Sequence, residues 1–268
     1  MSTLPDTRTL ILEPDGAWLR IWLNRPQAKN ALSDELVVEL QSVLDLVAAQ
    51  SSFRGVTIRG KGGVFCAGGD LKAFKSVFQG GDLDVSEIRD ASRRAGVLFN
   101  TINSLPQVVA MLVDGAAVAG GLGMLCTGDV VAVTAGARFS LTETTLGIPP
   151  AQIAPHIVHR VGLGTARRLM LTGAVFDGNE AGRMGLADYV VQDAAGLDNV
   201  EASIRKQVLR CAPTANAVTK KLALAATELD SDEMIEQAAT AFADCLLGEE
   251  GREGISSFIE KRKPSWAD

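Results

Sequence analysis

An uninterrupted apolar run, Val-Val-Ala-Met-Leu-Val at residues 108–113, feeds directly into Asp-Gly-Ala-Ala-Val-Ala-Gly-Gly-Leu-Gly at 114–123. A short apolar run bounded by turn residues reads as a strand buried on both faces. Gly120, Gly121 and Gly123 then open a helix. Glycine at a strand-to-helix turn lets the backbone approach a ligand or another segment closely, and the unpaired N–H groups of a helix start attract negative charge. Small residues there also serve simply to seat a helix on a sheet. Either way the chain is committed to layers of helix on sheet.

The remainder of the chain agrees with that commitment. Residues 7–12 and 18–23 are β-rich runs around Glu-Pro-Asp-Gly-Ala, a hairpin signal. Pro26 ends the second run. Ser33 is placed to cap a helix with Asp34 and Glu35 in its first turn, and Leu36, Leu40, Val43, Leu44 and Val47 recur at helical spacing. A short strand at 54–59 precedes a second glycine turn, Lys-Gly-Gly-Val-Phe-Cys-Ala-Gly-Gly-Asp-Leu-Lys at 61–72, and Gly80-Gly81 suggests a mobile loop. A helix over 86–102 follows. Strands alternating with helices predict an α/β fold with parallel pairing. After Gly147 the pattern changes: helices at 152–161 and 165–171 broken at Gly162 and Gly164, one helical turn at 181–185, a strand at 188–191, and only helices beyond Asp198. Ser231 is read as the cap of a helix carrying a stripe of Ile235, Ala238, Ala239, Phe242 and Leu246. A last helix over 254–262 carries Ile255, Phe258 and Ile259, with Lys261-Arg262-Lys263 at its negative end. Such stripes must be buried on the core or on another subunit.

The net charge of −6 argues against a nucleic-acid surface, while leaving room for a local basic pocket. Cys66, Cys126, Cys211 and Cys245 form no CxxC pair, and His156 and His159 are the only histidines, so neither a structural metal nor a disulfide framework is expected. No apolar run is long enough to span a bilayer, and the N-terminus lacks a secretory pattern; a cytoplasmic protein is expected. Cys66 and Cys126 read as small buried fillers. Either histidine could serve as a polar reader of a ligand, or sit exposed or satisfied at a cap.

Two glycine turns, each behind a strand, place two backbone N–H groups where they could converge on one oxygen, the layout of an oxyanion hole. Glu143 follows a strand between Leu141 and Leu146. A carboxylate held there can have a raised pKa and act as a general base, or be an ordinary solvated glutamate.

Four stretches, in order, resemble the motifs of the enoyl-CoA hydratase/isomerase (crotonase) family: Leu-Asn-Arg-Pro-Gln-Ala-Lys-Asn-Ala-Leu at 23–32, Phe-Cys-Ala-Gly-Gly-Asp-Leu-Lys at 65–72, residues 115–123, and Phe-Ser-Leu-Thr-Glu at 139–143. Residues 169–173, 181–186 and the Lys-Arg-Lys-Pro tail are similar to that family too. The resemblance implies a crotonase-like spiral of repeated β-β-α units over residues 1–197 and a helical trimerisation region over 198–268, assembled as a homotrimer or dimer of trimers. It implies an acyl-CoA thioester substrate, with coenzyme A as part of the substrate and no separate cofactor. Gly69 and Gly120 would be the oxyanion donors, Gly69 standing where many members have alanine. Glu143 would be the acid/base. Arg25, Ala28, Ala67, Asp70, Leu71 and Lys72 would line the path of the CoA chain, with Arg25 and Lys72 neutralising phosphates. Lys261 to Lys263 could reach a neighbouring subunit's CoA, though the helix dipole explains a basic helix end equally well.

One departure shapes the functional expectation. Members with two catalytic glutamates carry the first of them three residues after the oxyanion glycine, where this chain has Gly123. The resemblance is closer to bacterial methylglutaconyl-CoA-type hydratases, so hydration of a 3-branched glutaconyl-CoA (methylglutaconyl or isohexenylglutaconyl) is expected, with Gly123 leaving room for the branch. The alternatives are a Δ3,Δ2-enoyl-CoA isomerase, for which one glutamate suffices, and a non-catalytic acyl-CoA-binding paralogue.

Overall fold

The computed structural model describes residues 4–70 and 85–267, so Leu71, Lys72 and the loop expected at Gly80-Gly81 lie outside the described residues. Two sheets carry the architecture. The first has the order β1 (Leu10–Asp15), β2 (Trp18–Leu23), β3 (Gly55–Gly60), β4 (Val108–Val113), β6 (Val130–Thr134), β9 (Tyr189–Val191). The second is β5 (Ala116–Val118), β7 (Arg138–Ser140), β8 (Val175–Asp177). The hairpin β1–β2 is antiparallel, and β2, β3, β4, β6 and β9 are parallel neighbours, as the strand–helix alternation predicts.

The chain winds between these sheets. It passes from β4 to β5 to helix α3 (Gly120–Cys126), returns to β6, crosses to β7, and continues into α4 (Ala154–Thr172). In the earlier turns the second-sheet strand shrinks to single parallel bridges, Leu32↔Gly69 and Cys66↔Ala117. Helices α1 (Asp34–Ala48) and α2 (Val85–Ser104) complete those turns. This is the β-β-α spiral expected from the resemblance.

The first sheet is covered on both faces. One side packs into the main core with Leu36, Leu40 and Leu44 of α1 and Leu98 and Ile102 of α2. On the other side lies α6 (Ala194–Leu209): Ile204 and Val208 meet Trp18 and Ala110, and Leu197 meets Leu112 and Ala132. That double cover explains why Val109 to Val113 are all fully buried. It also means that the division expected at 197/198 falls inside α6, whose apolar face belongs to the core.

Local signals hold with small shifts. Ser33 caps α1, its hydroxyl accepting from Leu36 N at 3.3 Å. Gly162 (φ 75°, ψ 156°) interrupts α4 where a break was expected, while Gly164 does not. Helix α5 covers Gly178–Arg183. The cap of α8 (Ser231–Leu247) is Asp230, not Ser231: its carboxylate accepts from Asp232 N and Glu233 N, and Glu233 reaches back to Asp230 N. Asp230 wins because it faces the free N–H groups with a full charge. The last helix, α9, is Glu249–Ile259, so Lys261–Lys263 follow it, and Arg262 is paired with Glu253 and Glu260 instead of the helix end.

Helices α7 (Pro213–Ala225) and α8 bury no residue, and α9 buries only Ser257. Phe242, Phe258 and Ile259 are largely exposed. A half-buried lysine of α7 ties this region to the core: Lys220 Nζ donates to Leu105 O and Gln107 O, both at 2.7 Å, and pairs with Asp129 at 2.5 Å.

Candidate active site

Segments 66–69, 117–120 and 139–143 leave the second sheet side by side. Cys66 bridges Ala117, Val118 N donates to Cys66 O at 2.9 Å, and β5 pairs with β7 in the register Val118↔Ser140. Each segment therefore ends at the same edge, and each carries one residue singled out from the sequence: Gly69, Gly120 and Glu143.

The direction of the Gly69 N–H follows from the ladder. Leu32 N donates to Gly68 O at 2.8 Å and Asp70 N to Leu32 O at 3.2 Å, so Gly69, lying between them, turns its own N–H away from Leu32. Its neighbour on that other side is the α3 turn. A Cβ built on Gly120 would sit 3.8 Å from Gly69 N, and one on Gly68 would sit 3.2 Å from Gly120 N. Gly120 is the first residue of α3, where no intrahelical acceptor exists for its N–H. Two amides with no partner among the described residues thus abut.

The turn that aims Gly120 is strained. Ala119 holds φ 52°, ψ −127°, a region ordinary residues avoid at a cost of about 1–3 kcal/mol. Three bonds hold it: Ala119 N donates to Ser140 O at 2.8 Å, and Ala119 O accepts from Leu122 N at 2.9 Å and from Gly123 N at 3.1 Å. Gly68 (φ +89°) is required opposite, because a side chain there would meet Ala119 Cβ at 2.8 Å. Nothing in the sequence marks Ala119, since alanine is not the residue expected at such a φ.

Glu143 starts a 3-10 turn, Glu143–Leu146, behind β7. It is 9% exposed, and its Oε2 is buried without a hydrogen-bond partner among the described residues. Burial pushes its carboxyl above the usual glutamate range, opposed only by its own backbone N–H. An unsaturated buried carboxylate oxygen is costly for folding and is the property a general base needs.

The first sequence motif builds the scaffold of this site. Lys29 (φ 51°) and the buried Asn30 (φ 53°) turn the chain sharply. Asn30 Oδ1 accepts from Arg25 N at 2.8 Å, and its Nδ2 donates to Lys61 O at 2.9 Å and Val64 O at 2.7 Å. Ala67 N donates to Lys29 O at 3.0 Å, which joins the half-buried Ala28 and Ala67 segments. Asn30 was not among the expected site residues, although it lies within the motif. Arg25 is drawn into the same work: it donates to Ala31 O at 2.6 Å and pairs with Asp70 at 2.9 Å. It clamps the first and second motif segments together.

Gly123 is a correction. The sequence suggests free space there, but a Cβ on Gly123 would fall inside Ile153, against Cγ2 and Cβ. Ile153, 3% exposed at the start of α4, fills the volume, so Gly123 is a packing residue and not an opening for substrate. The histidines do not add a cationic reader: His156 lies edge-on to Phe99 at 6.3 Å with its pKa lowered by burial, and His159 is exposed. Burial pushes the Cys66 and Cys126 thiols up to about 12, consistent with fillers. Among the described residues no cluster of His, Cys, Asp or Glu could hold a metal, and no helix is long and apolar enough to cross a membrane.

A spiral of β-β-α turns thus brings the Gly69 and Gly120 amides and the buried Glu143 carboxylate to the ends of adjoining segments at one sheet edge. The chain belongs to the enoyl-CoA hydratase/isomerase family, whose model matches residues 15–268, and it is an enzyme of that family. Among solved structures it is similar to Pseudomonas aeruginosa AtuE, with 45% identity, a TM-score of 0.93 and coverage of 97% of this chain and 100% of that one. An enoyl-CoA hydratase/isomerase from Marinobacter aquaeolei has 36% identity and a TM-score of 0.92, covering 97% and 99%. The human mitochondrial methylglutaconyl-CoA hydratase is 27% identical over 272 residues, 99% of this chain and 78% of that protein.

Proposed function

We propose that the enzyme hydrates a 3-branched glutaconyl-CoA thioester, of the methylglutaconyl or isohexenylglutaconyl type, with Glu143 as its single acid/base. The observation that carries the single-carboxylate reading is the orphaned Oε2 of Glu143 together with Ile153 closing the place beside Gly123. Glu143 removes a proton from water as the oxygen attacks C3. The C2=C3 electron pair moves to the thioester oxygen, where the Gly69 and Gly120 N–H groups hold the enolate. The enolate then takes the proton at C2. Each oxyanion donor is worth about 3 kcal/mol in such a step. The similarity to the human methylglutaconyl-CoA hydratase supports the substrate class.

The same single carboxylate favours one rival, a Δ3,Δ2-enoyl-CoA isomerase in which Glu143 carries a proton between C4 and C2. Incubation with 3-methylglutaconyl-CoA, its isohexenyl homologue, crotonyl-CoA and 3-hexenoyl-CoA in deuterated water separates the two. Hydroxyacyl product from the glutaconyl esters is expected. A shifted double bond in hexenoyl-CoA with no hydration of any ester would establish the isomerase.

The exposed apolar faces of α8 and α9 further support assembly as a homotrimer or dimer of trimers through the C-terminal helices. Sedimentation is expected to show no stable monomer at micromolar concentration.

A further inference from the structure

At the other end of the first sheet, where β2 and β3 begin, α6 and the C-terminal tail enclose a groove of about 860 Å³. Arg54 N bonds Ala17 O at 2.7 Å there, whereas the oxyanion glycines follow the opposite, C-terminal strand ends. Six cations line the groove: Arg20, Arg205, Lys206, Arg210, Arg262 and Lys263. Among the described residues that line it, the only acid is Asp15. In a chain of net charge −6 this is a concentration of the minority sign.

Three of the cations are occupied. Arg20 holds Glu201 at 2.8 Å, Arg205 holds Asp15 at 2.8 Å, and Arg262 holds Glu253 at 2.6 Å and Glu260 at 2.7 Å. These pairs stiffen the walls. The side chains of Lys206, Arg210 and Lys263 make no hydrogen bond or ion pair within the described residues, and all three are exposed. The C-terminal dipole of α6 accounts for Lys206 and Arg210 singly, but not for Lys263 arriving from the tail to face them. Leu209 and Pro264 add apolar floor.

We propose that this groove is a binding site for a polyphosphate ester, an anion with at least two phosphates and an apolar body, separate from the acyl-CoA site. Three free cations from two elements match a charge spread over linked phosphates, and the volume exceeds what a lone phosphate fills. The test uses the full chain and the variant Lys206→Gln/Arg210→Gln, whose changed side chains hold nothing in the fold. Calorimetric titration with ADP and with inorganic pyrophosphate is expected to show salt-sensitive binding of both, ADP the tighter, with affinity falling at least about tenfold in the variant. Turnover and KM for crotonyl-CoA are expected to stay unchanged. No binding of either probe to the natural chain, or equal binding by the variant, would overturn the site. Pyrophosphate binding as tightly as ADP would overturn the ester. A raised KM for crotonyl-CoA in the variant would overturn its separateness.

Discussion

Two glutamates are buried at opposite regions of this molecule, and they are treated in opposite ways. Glu201, on the α6 side of the sheet, is fully buried and saturated: Arg20 Nε donates to its two oxygens at 2.8 and 2.9 Å, and the Thr57 hydroxyl donates to Oε1 at 3.1 Å. Thr57 in turn accepts from Trp18 Nε1 at 2.8 Å. Glu143 sits at the edge where three chain segments end, with one oxygen left unbonded. Burial alone therefore does not mark a functional acid. A saturated carboxylate is a fastener, and an unsaturated one is held ready for a proton at the expense of stability.

The sharpest way to break this contrast is to remove both ionisable groups in turn. Glu143→Gln is expected to lower turnover by at least about 100-fold with little change in CoA affinity, while Glu201→Gln leaves the turnover of folded enzyme intact. Steady-state kinetics on both variants decides it; activity surviving Glu143→Gln within a few-fold would place the base elsewhere. Denaturant unfolding should show the converse. Glu201→Gln leaves Arg20 with an uncharged partner, and a loss of about 2 kcal/mol is expected, moderated because Arg20 is partly exposed.

Next in size is the packing beside the oxyanion turn. Gly123→Ala is expected to cost about 1–3 kcal/mol by overpacking against Ile153, and Gly123→Ala/Ile153→Val to recover part of it. Thermal melts of the single and double variants measure that coupling. The smallest effect concerns pH. With the Glu143 pKa raised in the fold, its carboxyl favours folding below the unfolded pKa, and that contribution is lost as pH rises through the folded pKa. Glu143→Gln is therefore expected to raise the melting temperature at pH 8, with the gain shrinking on acidification. In the natural enzyme, kcat/KM should fall on the acid side with a midpoint above the usual glutamate range.

Much of this was legible in the sequence. The apolar run at 108–113, the glycine turns, the Ser33 cap and the break at Gly162 are local features, and residue type and spacing decide them because they act within one or two turns of chain. The ordered motifs carried the family and the spiral. Longer-range packing was not legible. The first motif looked like ligand-binding surface, yet Arg25 and Asn30 spend their bonds bracing residues 61–70. Gly123 looked like open space, and a residue thirty positions later fills it. Helix α6 looked like the start of a separate region, and its apolar face closes the sheet.

The sequence by itself determined which groups are present and which turns bring each backbone amide or carboxylate to a strand end, because those depend on near neighbours. Only the tertiary structure decided what each group is left to do. Whether Arg25 is paired, whether Oε2 of Glu143 is orphaned and whether Gly123 faces a void are settled by atoms distant in the chain, and a side chain's charge and hydrogen-bonding capacity are set by whichever partners the fold places within about 3 Å.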